Sequence, residues 1–322
     1  MSTFLITGGA GFIGSHLADY LLRKGEKVII IDNLSTGKKE NIVHLAENPN
    51  LQFFEGDITN EELVGKLIKD CDIIYHLAAA VGVRLVIEKP LDSLKTNVEG
   101  TEIILKLASK HNKKTLIASS SEVYGKNYDI PLKETDDRIL GNTHITRWNY
   151  SCAKALDEFL ALAYHKEKKL STIIARFFNV VGPKQAAMYG MVVPNFIKQA
   201  LNNETINVHG DGKQIRTFCF VEDVVEILYE LTKNENAIGQ VINIGSKEEI
   251  SILELAEKIK SMANSKSEIT FVPYEKVFNE NFEDSRRRAP SITKLKELTG
   301  LEPKTNLDGI LKVIIDHFKS SS

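Results

Sequence analysis

The 322-residue chain is 43% hydrophobic and 26% charged, with a formal net charge of −2. It can therefore bury an ordinary globular core, and it offers no polycationic surface for nucleic acid. No apolar stretch reaches membrane-spanning length, no basic leader precedes the strand-like Phe4-Leu5-Ile6-Thr7, and Cys71, Cys152 and Cys219 lack metal-ligand spacing, so a reduced, cytoplasmic protein without membrane or nucleic-acid partners is expected.

Residues 4–7 read as a first strand, which runs through Gly8-Gly9-Ala10-Gly11-Phe12-Ile13-Gly14 into a helix over 15–24. Short apolar runs at 28–31, 51–54, 73–77, 115–118 and 172–175 predict buried strands, and helix-period segments occupy 61–69, 94–111 and 151–168. Strands alternating with helices imply an α/β fold, a doubly wound parallel sheet of Rossmann type with helices on both faces. After about residue 179 the glycines of Gly182-Pro183, Gly190, Gly210-Asp211-Gly212, Gly239 and Gly245 punctuate shorter elements. They predict a smaller C-terminal α/β lobe. The expected division is 1–178 and 179–322, with elements free to interleave.

The first turn carries a chemical signal. Glycine is needed where the backbone bends sharply, approaches a pyrophosphate and packs helix on strand, which are the duties of Gly8, Gly11 and Gly14. The N–H groups at the following helix start, from Phe12 and Ile13 onward, suit phosphate oxygens. Asp32 ends the next strand at the distance expected for an acid that accepts bonds from the adenosine ribose hydroxyls and repels a 2′-phosphate. NAD is the expected cofactor; the plainer reading makes Asp32 a turn residue before Asn33. Asp57 either accepts the adenine amino group or caps the helix that begins near Glu61. Small residues in His76-Leu77-Ala78-Ala79-Ala80 allow backbone to lie against a cofactor, or serve a crowded core.

The fifth strand leads into Ser119-Ser120-Ser121-Glu122-Val123-Tyr124-Gly125, and Tyr150-Ser151-Cys152-Ala153-Lys154 opens a later helix. Tyrosine and lysine four apart share a helical face, so the ammonium is expected to draw the phenol from about 10 toward neutrality. A phenolate there can take a proton from a sugar hydroxyl as hydride leaves, with a strand-end serine bonded to the same oxygen.

These motifs, together with DNLSTG, NVEGT, RFFNVVGP, HGDGKQIRTFCFVEDV and RRRAP, resemble the extended short-chain dehydrogenase/reductase family, in its nucleotide-sugar epimerase, dehydratase and decarboxylase branch. The resemblance covers essentially the whole length. It implies Ser120, Tyr150 and Lys154 as catalytic residues, with Glu122 beside them. Around NAD it places the glycine loop, Asn33, Asp57, Ile58, Leu77, Ala78, Ala79, Asn97 and Phe177. Around a UDP-sugar it places Ser121, Asn179, Val193, Asn195, Arg216 and Arg288, while Arg84 is a candidate for a substrate carboxylate. It also implies a homodimer through helices 94–111 and 151–168, where Ile103, Leu107, Leu156, Leu160 and Ala163 either meet a partner or pack on the sheet.

All branches begin by oxidising C4 of the sugar. Ser121 stands where a 4,6-dehydratase has aspartate, which disfavours simple dehydration, and Glu122 resembles uronate decarboxylases with Ser-Glu before Val-Tyr-Gly. The expected reaction is 4-epimerisation of a UDP-hexose or UDP-hexuronate. Decarboxylation of UDP-glucuronate or UDP-N-acetylglucosaminuronate is the alternative, followed by a dehydratase-type elimination and, in another class, a non-catalytic NAD-binding sensor.

Overall fold

The computed structural model describes residues 1–186, 191–277 and 283–320, without the side chains of 83–85. Gly190 and the Arg84 side chain thus lie outside the described residues. The first half runs β1 (Thr3–Thr7), α1 (Phe12–Arg23), β2 (Lys27–Asp32), β3 (Leu51–Glu55), α2 (Glu61–Asp70), β4 (Ile73–His76), α3 (Val83–Glu88), α4 (Pro90–His111), β5 (Lys114–Ser120), α5 (Trp148–Lys168) and β6 (Thr172–Phe177). There follow β7 (Val180–Val181), α6 (Val192–Leu201), β8 (Ile206–His209), β9 (Ile215–Thr217), β10 (Cys219–Phe220), α7 (Val221–Lys233) and β11 (Val241–Ile244). The chain closes with β12 (Glu249–Ser251), α8 (Ile252–Met262), β13 (Ile269–Val272), α9 (Tyr274–Val277), β14 (Arg287–Arg288), α10 (Thr293–Thr299) and α11 (Leu307–Ser320).

Seven strands form one parallel sheet in the order β3-β2-β1-β4-β5-β6-β11. Strand residues alternate between its two faces, as the pleat demands. Phe4, Ile6, Val28, Ile30, Tyr75, Leu116 and Ile173 pack toward α1 and α7. Leu5, Ile29, Ile31, Ile74, Ile117 and Ile174 pack toward α2, α4 and α5. Burial on both faces explains why these strands read as near-continuous apolar runs. The chain winds outward from β1 to β3, then crosses back to β4. The switch point between β1 and β4 opens a crevice at the carboxyl ends of the strands, where ligands of such sheets bind.

The C-terminal lobe holds the pairs β7–β10 and β8–β13 and the mixed three-stranded sheet β12-β9-β14. It does not start cleanly at residue 179. Strand β11 returns to the main sheet, pairing Ile242 with Ala175, and α7 contributes to the same hydrophobic cluster as β1 and α1. On the helices considered for dimerisation, Leu107 lies in the core with Ala161. Ile103 and Leu160 are half-buried and Leu156 and Ala163 exposed.

One buried amide ties the lobes together. Asn243 on β11 accepts from Tyr124 Oη at 2.7 Å through Oδ1, and its Nδ2 donates to Leu132 O at 2.9 Å and Ser291 O at 3.2 Å. The turn after β5 and the stretch after β14 are therefore anchored to the same strand. Asn243→Ala would strand Ser291 O and remove the bond to the Tyr124 hydroxyl, while Leu132 O keeps Ser291 N at 2.7 Å, at about 1–3 kcal/mol for each group left without a partner. Urea unfolding should show a loss of at least about 2 kcal/mol; an unchanged midpoint would mean that this amide does not hold the lobes.

Candidate active site

The crevice is lined first by the glycine turn. Gly8 has φ +72°, and a Cβ there would lie 2.9 Å from Ala78 N and Cα, so the turn after β1 touches the segment after β4. A Cβ at Gly14 would lie 2.3 Å from Gly8 O, and one at Gly11 3.1 Å from the same oxygen. Helix α1 starts without a side-chain cap on its Gly11 N-cap, which leaves its first N–H groups, on Phe12 and Ile13, to a ligand. Asp32 accepts from Ala10 N at 2.9 Å and Leu34 N at 2.8 Å. Burial pushes its carboxyl up from the ordinary value, against the pull of those amides. A cradle that a Cβ would fill, a bare helix start and a carboxylate at the next strand end together fit a dinucleotide.

The adenine side departs from one expectation. Asp57 does not cap the helix near Glu61; Asn60 does, accepting from Leu63 N at 3.1 Å. A carboxylate four residues upstream is out of step with the first turn. Asp57 instead accepts from Thr59 N at 2.9 Å and from Asn33 Nδ2 at 2.7 Å. The Ile58 side chain is buried against Gly100 on α4.

The floor is held by a relay of polar groups. Thr7 Oγ1 accepts from Ala78 N at 3.1 Å and bonds His76 Nδ1 at 2.8 Å. His76 Nε2 meets Thr101 Oγ1 at 3.0 Å, and Thr101 donates to Asn97 O at 2.7 Å. Asn97 Oδ1 in turn accepts from Ala80 N at 2.8 Å. Leu77, Ala78 and Ala79 are half-buried along this segment, as is Phe177 at the end of β6. Burial lowers the His76 pKa to about 3, so the imidazole is a neutral spacer.

Tyr150 lies in the first turn of α5, with the Ser120 side chain near enough to act on its phenol. Ser120 Oγ accepts from Glu122 N at 3.2 Å, capping the short 3-10 turn Ser121–Tyr124. Here the structure corrects the expectation for Lys154. Its Nζ donates to Asp157 Oδ2 at 2.7 Å, because a buried ammonium takes the nearest buried carboxylate. The Tyr150 phenol is accordingly pushed up, by burial first and then by the Glu122 and Asp157 charges, rather than drawn toward neutrality.

Beyond the phenol lies a cluster of charges. Glu122 receives Arg147 Nη2 at 3.2 and 3.3 Å and Arg288 Nη1 at 2.5 Å. Arg147 Nη1 and Arg216 Nη2 both donate to Asp284 Oδ1 at 2.9 Å. Arg147, Arg216 and Arg288 are all buried, and Arg288 Nη2 has no hydrogen-bond partner. The Arg216 pKa is lowered by burial, relieved by Asp284 and worsened by Arg288 and Arg147. Three guanidiniums that still repel one another, one with a donor to spare, suit an anionic ligand.

The remaining expected substrate residues are less uniform. Ser121 is buried beside Glu122, and Asn195 is half-buried on α6. Asn179 Nδ2 donates to Thr217 O at 2.8 Å, joining the strand that carries Arg216. The Val193 side chain is fully buried in the main apolar cluster, since position 193 faces inward on α6.

Residues 5–314 match the family model described as GDP-mannose 4,6 dehydratase. The chain belongs to the extended short-chain dehydrogenase/reductase family of nucleotide-sugar enzymes. It is 41% identical over 316 residues to a UDP-N-acetyl-alpha-D-glucosaminuronate decarboxylase of Bacillus cytotoxicus, covering 98% of this chain and 97% of that one. It is 38% identical over 317 residues to UDP-glucuronic acid decarboxylase 2 of Arabidopsis thaliana, covering 98% of this chain and 68% of the relative. The solved UDP-glucuronic acid 4-epimerase of Bacillus cereus, in complex with UDP-glucuronic acid and NAD, superposes with a TM-score of 0.89 at 31% identity, covering 99% of this chain and 100% of that one.

For a member of this family, the sequence pattern gave no partner for three side chains. Arg147 and Asp284 stand 137 positions apart, and only the fold pairs them. Asp157 was detectable, since a carboxylate three residues after a lysine lies within reach on a helix.

Burial alone would raise the Glu122 carboxyl from its ordinary 4.5, but Arg147, Arg288 and Arg216 outweigh it and hold the group well below that value. The folded state then binds fewer protons than the unfolded one, so this contribution is present above the ordinary carboxylate range and lost as pH falls through it. Glu122→Gln should be less stable at neutral pH, because it strands buried guanidiniums. Its stability should also fall less than the native protein's between about pH 5 and pH 3. Denaturant titrations at several pH values test this, and parallel curves would contradict it.

Proposed function

We propose that this chain is an NAD-dependent decarboxylase of a UDP-hexuronate, UDP-glucuronate or its 2-acetamido counterpart. The observation that carries the reading is Glu122, clamped as a carboxylate by Arg147 and Arg288 directly after the strand that brings Ser120 to Tyr150. A plain 4-epimerase moves no proton or carbon at C5 or C6 and has no use for such a group. The decarboxylases among the relatives, one of them 41% identical over nearly the full length of both chains, support the same choice.

NAD, when bound, would supply a reversible hydride acceptor for C4. Gly8, Gly11 and Gly14 would admit its pyrophosphate to the α1 N-terminus, and Asp32 would meet the adenosine ribose. Tyr150 accepts the C4 hydroxyl proton while Ser120 orients that oxygen. The resulting C4 ketone stands two carbons from the C6 carboxylate, so the electron pair of the C5–C6 bond drains into the carbonyl as carbon dioxide leaves. C5 gains one proton, and C4 recovers hydride and the proton held on Tyr150. The sum is loss of carbon dioxide and uptake of one proton, with no net oxidation. The fixed negative charge of Glu122 disfavours a second carboxylate at C6 and is relieved when it departs neutral. The guanidiniums of Arg216 and Arg288 hold the diphosphate and offset the anionic substrate.

UDP-hexuronate 4-epimerisation is the second reading. The 31% identical epimerase structure with UDP-glucuronic acid favours it, because both reactions share the first oxidation. Mass and proton NMR of products from UDP-glucuronate, UDP-N-acetylglucosaminuronate, UDP-glucose and UDP-N-acetylglucosamine separate the two. A pentose nucleotide lighter by carbon dioxide is expected, from uronates alone, with turnover reduced about 10²–10⁴-fold in Tyr150→Phe. A uronate product of unchanged mass with an inverted C4 coupling would replace decarboxylation with epimerisation.

A further inference from the structure

Lys154 and Asp157 form an ion pair on one face of α5, with Nζ and Oδ2 2.7 Å apart and the two side chains 3% and 0% exposed. Nothing in the proposed chemistry requires that carboxylate. Desolvating an ion pair this completely costs several kcal/mol per charge before the attraction offsets it. The pair is also poorly supported. Among the described residues Asp157 Oδ1 has no well-formed hydrogen bond: the Thr101 hydroxyl is close enough to draw the carboxyl down against the upward push of burial but donates to Asn97 O at 2.7 Å. A carboxylate kept for structure alone would be expected to have both oxygens satisfied.

The position of Asp157 supplies the missing reason. Tyr150, Lys154 and Asp157 stand at i, i+4 and i+7 of α5 and so share one face of that helix, and the Asp157 charge acts on the Tyr150 phenol while that of Lys154 acts on His76 of β4. We infer that Asp157 is a positioning residue for the Tyr150–Lys154 pair, seating the Lys154 ammonium and cancelling most of its field at the phenol. This rests on the reading of Tyr150 as the proton acceptor. The phenol then keeps a high proton affinity until a cationic ligand enters the crevice, so the enzyme does not hold a bare phenolate while empty.

The groups facing the phenol and the pair come from every neighbouring element. From the end of β5 come Ser120 and Glu122, the latter matched by Arg147 and Arg288. From β4 comes His76, neutral through burial. From helix α4 comes the uncharged Thr101. Further along α5, Glu158 is matched by Arg176 of β6 at 2.7 Å. Among the described residues, the Lys154–Asp157 balance can therefore be altered without breaking another ion pair.

A charge cycle tests this: the native protein, Asp157→Asn, Lys154→Met, and the double variant. The readout in NAD-free protein is the ultraviolet phenolate band assigned to Tyr150 by subtracting Tyr150→Phe. Asp157→Asn exposes an unbalanced ammonium and should lower the phenol's midpoint by about 1–3 pH units. The rising limb of kcat against pH in the NAD-loaded enzyme should move the same way. The double variant should titrate near the native protein, and Lys154→Met above both. Asp157→Glu should restore the native limb. If Asp157→Asn does not fold, the double variant carries the test, since it buries no charge at either position. Coincident midpoints for Lys154→Met and the double variant, or an unmoved band in folded Asp157→Asn, would overturn the inference. Near-native turnover in Tyr150→Phe would instead overturn the underlying acid/base reading.

Discussion

A carboxylate enclosed by guanidiniums cannot shift without stranding charge, and the surroundings of Glu122 are arranged under that constraint. Arg147 comes from the start of α5, Arg288 from β14, and Arg216 reaches the same cluster through Asp284. Each arises from a different part of the chain, so the cluster forms only when the C-terminal lobe is seated on the main sheet. The bonds of Asn243 to Leu132 and Ser291 hold that seating in place. Folding and the proposed substrate recognition thus rest on the same buried charges.

Chemistry and scaffold are divided between two kinds of contact. Near the dinucleotide cradle the requirement is for absence: side chains are excluded at Gly8 and Gly14 because backbone oxygen and amide atoms occupy the space. Near the sugar the requirement is for balance, with every buried carboxylate set against a cation. The polar relay from Thr7 through His76 and Thr101 to Asn97 lies between them. It is uncharged, so it fixes the crevice floor without adding to the field at Tyr150.

Much of this was legible in the residues, for identifiable reasons. Strands buried on both faces read as apolar runs, and the pattern at 115–118 differs from β5 only at its ends. The start of α4 did not: the helix begins at Pro90, not near 94, because Leu91 is 62% exposed and carries no core-facing period. Proline at the first helical position was the available signal. In the second lobe β7 and β10 have two residues each, and their pairing depends on segments far apart in sequence. The resemblance located Ser120, Tyr150, Lys154, Arg216 and Arg288. It could not show that Lys154 turns to Asp157, since that choice depends on which carboxylate shares its dry environment. The preference for 4-epimerisation rested on epimerases being the most numerous members of the branch, since Tyr150 and Lys154 are shared by all of it; Glu122 with its arginines, and the decarboxylase relatives, point the other way.

The central claim is that a C4 ketone drives loss of the C6 carboxylate while hydride stays within the site. Its most direct test is turnover of UDP-glucuronate in deuterium oxide, with the product examined by NMR. The account predicts one deuteron at C5, the carbon that carried the carboxylate, and none at C4, which recovers its own hydride. A product that keeps its carboxylate and carries no deuterium at C5 would contradict it.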